Sequence, residues 1–378
     1  LQGVSPEQLA DPNIDVITTH HYPQPGKNFI GPIREAAAKC RGQKPYFVGE
    51  FGFIPAAELK DVLDLVVNEG ISGALVWSLR YHHRDGGFYW HSEPLGSGVF
   101  KAYHWPGFTS GAAYEETEVL EHMRQAAFAI RGLEVPSLPV PEPPTLLPIT
   151  DPSAISWQGS AGAAKYDVLR ATAAAGPWKT IGQGISDAAL PYAPLFSDSS
   201  AAPGQSYYYA VVARNASGTS APSNQVGPVK VVQRSLVDNC LDTSKVARSD
   251  GKVEFATGED RKTREDSHRL KLAPGSSVTY EVDEPIASWF VEAYFVDEAS
   301  ELKVSASKDG QEFEPCTALV QEWSSAKNDY NYLRHAVVHG DGVPQEARYL
   351  RFEFPDANND EAMAQLGRVV IHYGKIAE

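Results

Sequence analysis

Apolar and polar positions fall into two regimes along this chain. Near the start, Pro45 to Phe53 (PYFVGEFGF) sets an apolar run ahead of one carboxylate, the pattern of a buried parallel strand carrying an acid to its C-terminal tip. Ile14 to Pro23 (IDVITTHHYP) reads as a second strand, whose period of two puts His20 and Tyr22 on one face. Ile71 to Leu79 (ISGALVWSL) reads as a third, with Trp77 near its end. Between them, Ala56 to Asn68 repeats apolar residues at helical spacing before Gly70, and Gly31 to Cys40 offers a shorter helix. Strand, helix, strand, helix, strand is a βαβαβ unit, part of a parallel barrel or of a doubly wound sheet. Tyr114 to Ile130 predicts one further helix, acidic at its start.

The second regime begins after a proline-rich stretch. Residues 135–148 (VPSLPVPEPPTLLP) hold six prolines and read as an extended, semi-rigid linker. From 149 to 232 the pattern becomes short alternating strands, clearest at 154–157, 165–170, 178–181 and 206–213. From 233 to 378 alternation returns at 277–282, 288–295, 301–307, 347–354 and 366–373. The expected domains are therefore 1–134, the linker 135–148, and two all-β units, 149–232 and 233–378.

At 378 residues and 42% hydrophobic composition, several cores can be filled. A net charge of −15 and a pI near 5.2 argue against nucleic acid and anionic membrane partners, and fit a neutral polysaccharide. No apolar run is long enough to span a membrane. Cys40, Cys240 and Cys316 exclude a disulfide-dense scaffold; Cys240 could pair with Cys316, but isolated thiols are the simpler expectation. No phosphate-binding glycine motif is present, so no nucleotide cofactor is expected.

The segment after Trp77 is rich in aromatic and polar side chains. Sugar rings stack their C–H faces on aromatics while His, Arg and Asp bond their hydroxyls, which makes Tyr81, His83, Asp85, Tyr89, Trp90 and Trp105 candidates for a carbohydrate cleft. His82, His83, His91 and His104 match no zinc spacing, so no metal is expected. In the last unit, Trp323, Tyr330 and Tyr332 either contact glycan or cover the sandwich, and residues 356–361 read as a solvated acidic turn rather than a calcium site.

The motifs HHYP, VGEFG and GALVWSL, in that order, resemble the sixth, seventh and eighth strands of family 5 glycoside hydrolases of clan A, the group of endo-mannanases and cellulases. The resemblance covers roughly the first 130 residues. It implies the C-terminal part of a (β/α)8 barrel, with Glu50 as nucleophile, Tyr22 hydrogen-bonded to it, His20 in the polar network behind, and Trp77 as the platform under the sugar. The family's acid/base glutamate lies in an Asn-Glu-Pro motif that does not occur before His20, and Glu69, in Asn68-Glu69-Gly70, reads as a surface residue. A retaining mechanism needs two carboxyl groups about 5 Å apart. The N-terminal half of the barrel is therefore expected to lie outside the 378 residues, in a companion chain for instance.

Residues 149–232 resemble a fibronectin type III module, with Trp157 as a core aromatic and a spacer role. VSASKDGQEFEP and ARYLRFEFP resemble strands of a galactose-binding-like jelly roll of the discoidin and carbohydrate-binding-module type. Together these resemblances imply a secreted, cell-surface or periplasmic retaining glycosidase acting on a β-linked polysaccharide or oligosaccharide of mannan or glucan type. The alternative is a carbohydrate-binding or scaffold protein with an inactive barrel remnant.

Overall fold

The computed structural model describes residues 3–23, 28–89, 92–95, 98–101, 103–108, 116–189, 193–257, 260–264, 266, 268–296, 301–322, 332–355 and 363–374. Trp90, His91, Trp323, Tyr330 and the acidic run 356–361 lie outside them.

The first unit is a β/α layer. A short helix α1 (Pro6–Ala10), started by a capping box on Ser5, precedes strand β1 (Ile17–His21). Helix α2 (Ile30–Cys40), strand β2 (Tyr46–Phe51), helix α3 (Ala56–Asn68) and strand β3 (Ala74–Val76) follow. The three strands pair in parallel in the order β1-β2-β3. The expected helices at 31–40 and 56–68 are present because their apolar stripes, Ile33, Ala36, Ala37 and Cys40 in one and Leu59, Val62, Leu63 and Val66 in the other, bury against the sheet. The expected barrel portion appears among the described residues only as this three-stranded unit.

β3 is shorter than the periodicity of residues 71–79 implies. After Val76 the ladder ends; Trp77 still donates its N–H to Phe51 O at 2.8 Å, and Leu79–Arg80 pairs instead with Tyr103–His104. The stretch after Trp77 is thus not one irregular loop, since Ser92–Leu95 and Gly98–Lys101 also pair as an antiparallel hairpin. Helix α4 (Glu116–Ala129) packs on α3, and its buried Glu116 accepts the His104 N–H at 2.6 Å.

The middle unit is a β-sandwich. Lys165–Ala171 is flanked by Lys179–Ile185 and Ser206–Asn215, with Gly218–Thr219 and Val226–Lys230 beside the latter; Thr145–Leu146 pairs with Trp157–Gln158. Trp157, Tyr166 and Tyr209 fill its core. The linker therefore ends earlier than composition implies. Thr145 and Leu146 already belong to the sandwich, and the Leu146 N–H is held by Asn224 at 2.9 Å. The first part of the stretch is strapped down: Asn215 donates to Pro139 O at 2.7 Å, Ser217 to Leu138 O, and Arg124 to Pro136 O.

The last unit stacks a seven-stranded sheet on a five-stranded one around a core of Trp289, Tyr280, Phe352, Phe354 and aliphatic side chains. Tyr280 donates to the buried Asp238 at 2.9 Å. All three cysteines are free thiols, and Arg368 reaches from this unit to Ser153 O of the middle one at 3.3 Å.

Under the parallel sheet, on the face away from Glu50, Thr19 Oγ1 lies 2.6 Å from His21 Nε2 and 2.7 Å from the Tyr46 hydroxyl, all three buried. Burial, reinforced by nearby positive charge including His20, pushes the His21 imidazole down from 6.5 to about 4. The unfolded chain therefore takes up the proton first, and stability falls as pH drops from 6.5 to about 4, by on the order of 2–3 kcal/mol. Denaturant unfolding at pH 7 and pH 4.5 of the native chain and of His21→Gln checks this. The variant should lose that share of the pH dependence; an unchanged difference between the two pH values would contradict it.

Candidate functional site

The site is built on an irregularity in β2. Thr19 pairs with Val48, but the next residue, His20, pairs with Glu50, so Gly49 is an extra residue in the ladder. The same bulge shows against β3, where Val48 meets Ala74 and Phe51 meets Val76. Alternation resets across it: Tyr46 and Val48 are buried, then Phe51 rather than Glu50. The bulge turns Glu50 onto the more open face, opposite His20. A β-carbon on Gly49 would lie 3.1 Å from Thr18 Oγ1 and 3.3 Å from the His20 ring, so glycine allows that close approach.

Glu50 is held by two groups on one oxygen. The Tyr22 hydroxyl donates to Oε2 at 2.7 Å, and His20 Nδ1 lies 3.1 Å from the same atom. Among the described residues, no donor reaches Oε1. The side chain is 28% exposed, enough to reach a ligand. Tyr22 is oriented from behind by a stack on Phe53, centroids 5.0 Å apart, and Phe53 holds a left-handed backbone at φ 60°. A non-glycine residue persists there only when its surroundings impose it. Between Glu50 and Phe53, Gly52 lets the chain press against Trp77; a β-carbon there would stand 2.7 Å from Trp77 O. Trp77 is half-buried, and the Trp77–Ser78 peptide is cis.

The structure thus brings Glu50, Tyr22 and His20 together, with Trp77 attached through the Phe51–Gly52 backbone. The other candidates divide. Tyr81, 70% exposed, packs on Tyr89 with centroids 4.9 Å apart, and His83 sits edge-on to Tyr89 at 4.3 Å. Asp85 stands exposed at the loop tip, its N–H donated to His83 Nδ1 at 3.0 Å. These four form one cluster. Trp105 is half-buried and packs against the apolar core of the first unit. His104 is taken by Glu116 and His82 by Asp187, and among the described residues no group of three His, Cys, Asp or Glu side chains could hold a metal. Glu69 is paired with Arg34 at 2.8 Å and Arg41 at 3.6 Å, a surface role at the opposite end of the strands. Sequence reasoning passed over Gly49, Gly52 and Phe53, although two glycines flanking a strand-end carboxylate were a readable sign of close backbone contact.

No protein-family model matches the chain, and no curated protein matches it. Among solved structures, an Fn3-like protein from Clostridium thermocellum is 23% identical over 23% of this chain and 88% of its own, with a TM-score of 0.18. The cleaved adhesin domain of Lys-gingipain from Porphyromonas gingivalis is 13% identical over 37% of this chain and 98% of its own, with a TM-score of 0.28. A β-1,3-glucan binding CBM6 from Bacillus halodurans is 10% identical over 38% and 96%, with a TM-score of 0.23. The sandwich assignments rest on the strand pairing described above. No helix among the described residues is long and apolar enough to cross a membrane.

The Gly52–Trp77 contact yields a direct comparison. Gly52→Ala must displace backbone and should lower stability by about 1–3 kcal/mol, whereas Gly73→Ala, whose nearest neighbour would be 4.0 Å away, should change it by less than about 1 kcal/mol. Urea unfolding measures both; equal effects would contradict the close approach.

Proposed function

We propose that this chain is the C-terminal part of a retaining glycoside hydrolase of family 5 type, acting on a β-linked glycan of mannan or glucan character. β1, β2 and β3 are then the sixth, seventh and eighth strands of a (β/α)8 barrel. The observation that carries the reading is the geometry of Glu50: a carboxylate at a strand end, fixed at Oε2 by Tyr22 and His20, with no donor on Oε1 among the described residues. That arrangement suits a nucleophile, because the holding groups orient the carboxylate without occupying the attacking atom. Exposed apolar side chains on or beside the strands, Val16, Leu75 and Leu79, further support a sheet that continues beyond β1 and β3.

In this mechanism Oε1 bonds to the anomeric carbon as the glycosidic C–O bond breaks, and the leaving oxygen takes a proton from an acid/base carboxyl group. Water then attacks the same carbon, giving its proton back to that group and releasing Glu50. Tyr22 and His20 stabilise the carboxylate as it leaves. Trp77 offers its ring face to the sugar, and Tyr81, His83, Asp85 and Tyr89 line the approach. The acid/base carboxyl group belongs to barrel strands outside these 378 residues, on the same polypeptide or a companion chain. The acidic balance and the β-sandwich modules fit a secreted or surface-attached enzyme working on neutral polysaccharide.

In the complete enzyme, Glu50→Gln should lower turnover on soluble β-mannan or β-glucan by at least about 10³-fold, with little change in the stability of the chain. Near-normal turnover by the variant would sink the assignment. If neither polysaccharide is cleaved yet one is bound, the non-catalytic carbohydrate-binding alternative takes its place.

A further inference from the structure

We propose that Asp187, a residue of the middle sandwich, is a positioning residue for the aromatic segment 79–89, acting through His82; the inference rests on the sugar-contact reading of Tyr81, His83 and Tyr89. The middle module is then part of the ligand-binding unit rather than a spacer.

The Asp187 side chain is wholly buried, in the turn after Lys179–Ile185. Its Oδ2 lies 3.1 Å from His82 Nε2 of the first unit, and among the described residues His82 is the basic side chain within ion-pair distance. A buried carboxylate is tolerated only when its charge is met by a partner; neither Asp187 oxygen has a hydrogen-bond partner among the described residues, so the His82 contact across the two modules is the one that meets it. The Tyr166 hydroxyl faces the same carboxylate; burial above all, with the Asp187 charge adding, holds it protonated far above the ordinary phenol range. It accepts the Ser160 N–H at 2.9 Å.

Glycines on both sides make the approach possible. A β-carbon on Gly159 would fall 2.2 Å from Asp187 Oδ2 and 2.4 Å from His82 Nε2. Gly86, at φ +103°, rests its α-carbon where a β-carbon would stand 2.9 Å from Ser156 Cβ. Gln158 adds a hydrogen bond to Arg84 O at 3.0 Å. Trp157–Gln158 is thus the surface on which the segment lies.

His82 transmits this fixation. Its ring packs on the buried Phe88 at 4.2 Å, and Phe88 in turn contacts His104 and Phe108. Residues 82 and 88 also form a β-bridge. His82 is therefore clamped between Asp187 and Phe88, and its chain neighbours Tyr81 and His83 meet on Tyr89. Holding the backbone at 82 holds the Tyr81–His83–Tyr89 cluster in one arrangement before any ligand arrives, which lowers the ordering cost of binding.

The test uses the full chain. Asp187→Asn, His82→Ala and His82→Gln are compared by hydrogen exchange over residues 79–89 and by titration with β-manno- and β-gluco-oligosaccharides. His82→Ala changes only the first unit, so a failure of Asp187→Asn to fold does not remove the test. Asp187→Asn and His82→Ala should each raise exchange in the segment and weaken oligosaccharide binding about tenfold, with the double variant no worse than either alone. His82→Gln, which keeps a donor, should recover most of the affinity. Unchanged exchange in His82→Ala would overturn the proposal, as would unchanged affinity where the native chain binds. If exchange rises but the native chain binds neither sugar, positioning by Asp187 stands and the sugar reading of the segment falls.

Discussion

One extra residue in a parallel ladder decides which face of the sheet carries Glu50. Were Gly49 paired in regular register with His20, the alternation of Tyr46 and Val48 would carry the carboxylate at position 50 into the helix-covered layer beside Thr19 and His21. There it would face the cost of burying a charge. The bulge reverses that outcome and sets Glu50 against His20 and Tyr22 on the open face. Gly52 and Phe53 continue the same constraint, the first by admitting Trp77 O and the second by backing Tyr22.

The two faces of the sheet divide the labour accordingly. On the covered face, Thr19 Oγ1 is shared by His21 Nε2 and the Tyr46 hydroxyl, and burial keeps the imidazole uncharged at neutral pH. On the open face a charged group is retained and oriented. The modules that follow are not loosely tethered to this layer, since Asn215 and Ser217 bind the linker carbonyls and His82 enters the middle sandwich.

Much of this was legible in the sequence. Helical spacing marked 56–68 because one face of that helix is buried, and the strands expected at 165–170 and 206–213 lie within Lys165–Ala171 and Ser206–Asn215. The grouping of His20, Tyr22 and Glu50 followed from strand order and the motif resemblance. The bulge was not read, since V-G-E-F looks like an unbroken strand until its partners are known. The linker boundary was misplaced because Thr145 and Leu146 sit among prolines, and only their pairing with Trp157–Gln158 reveals a strand. The His82–Asp187 contact joins residues far apart in the chain, and no local pattern announces it.

In the proposed mechanism Glu50 forms the covalent bond to sugar. Incubating the complete enzyme with activated 2-deoxy-2-fluoro glycosides of mannose and glucose, then mapping the adduct by peptide mass spectrometry, tests it most directly. A glycosyl adduct is expected on the peptide spanning Tyr46 to Phe53, at Glu50. An adduct on another carboxylate, in an enzyme that cleaves the parent glycan, would contradict it.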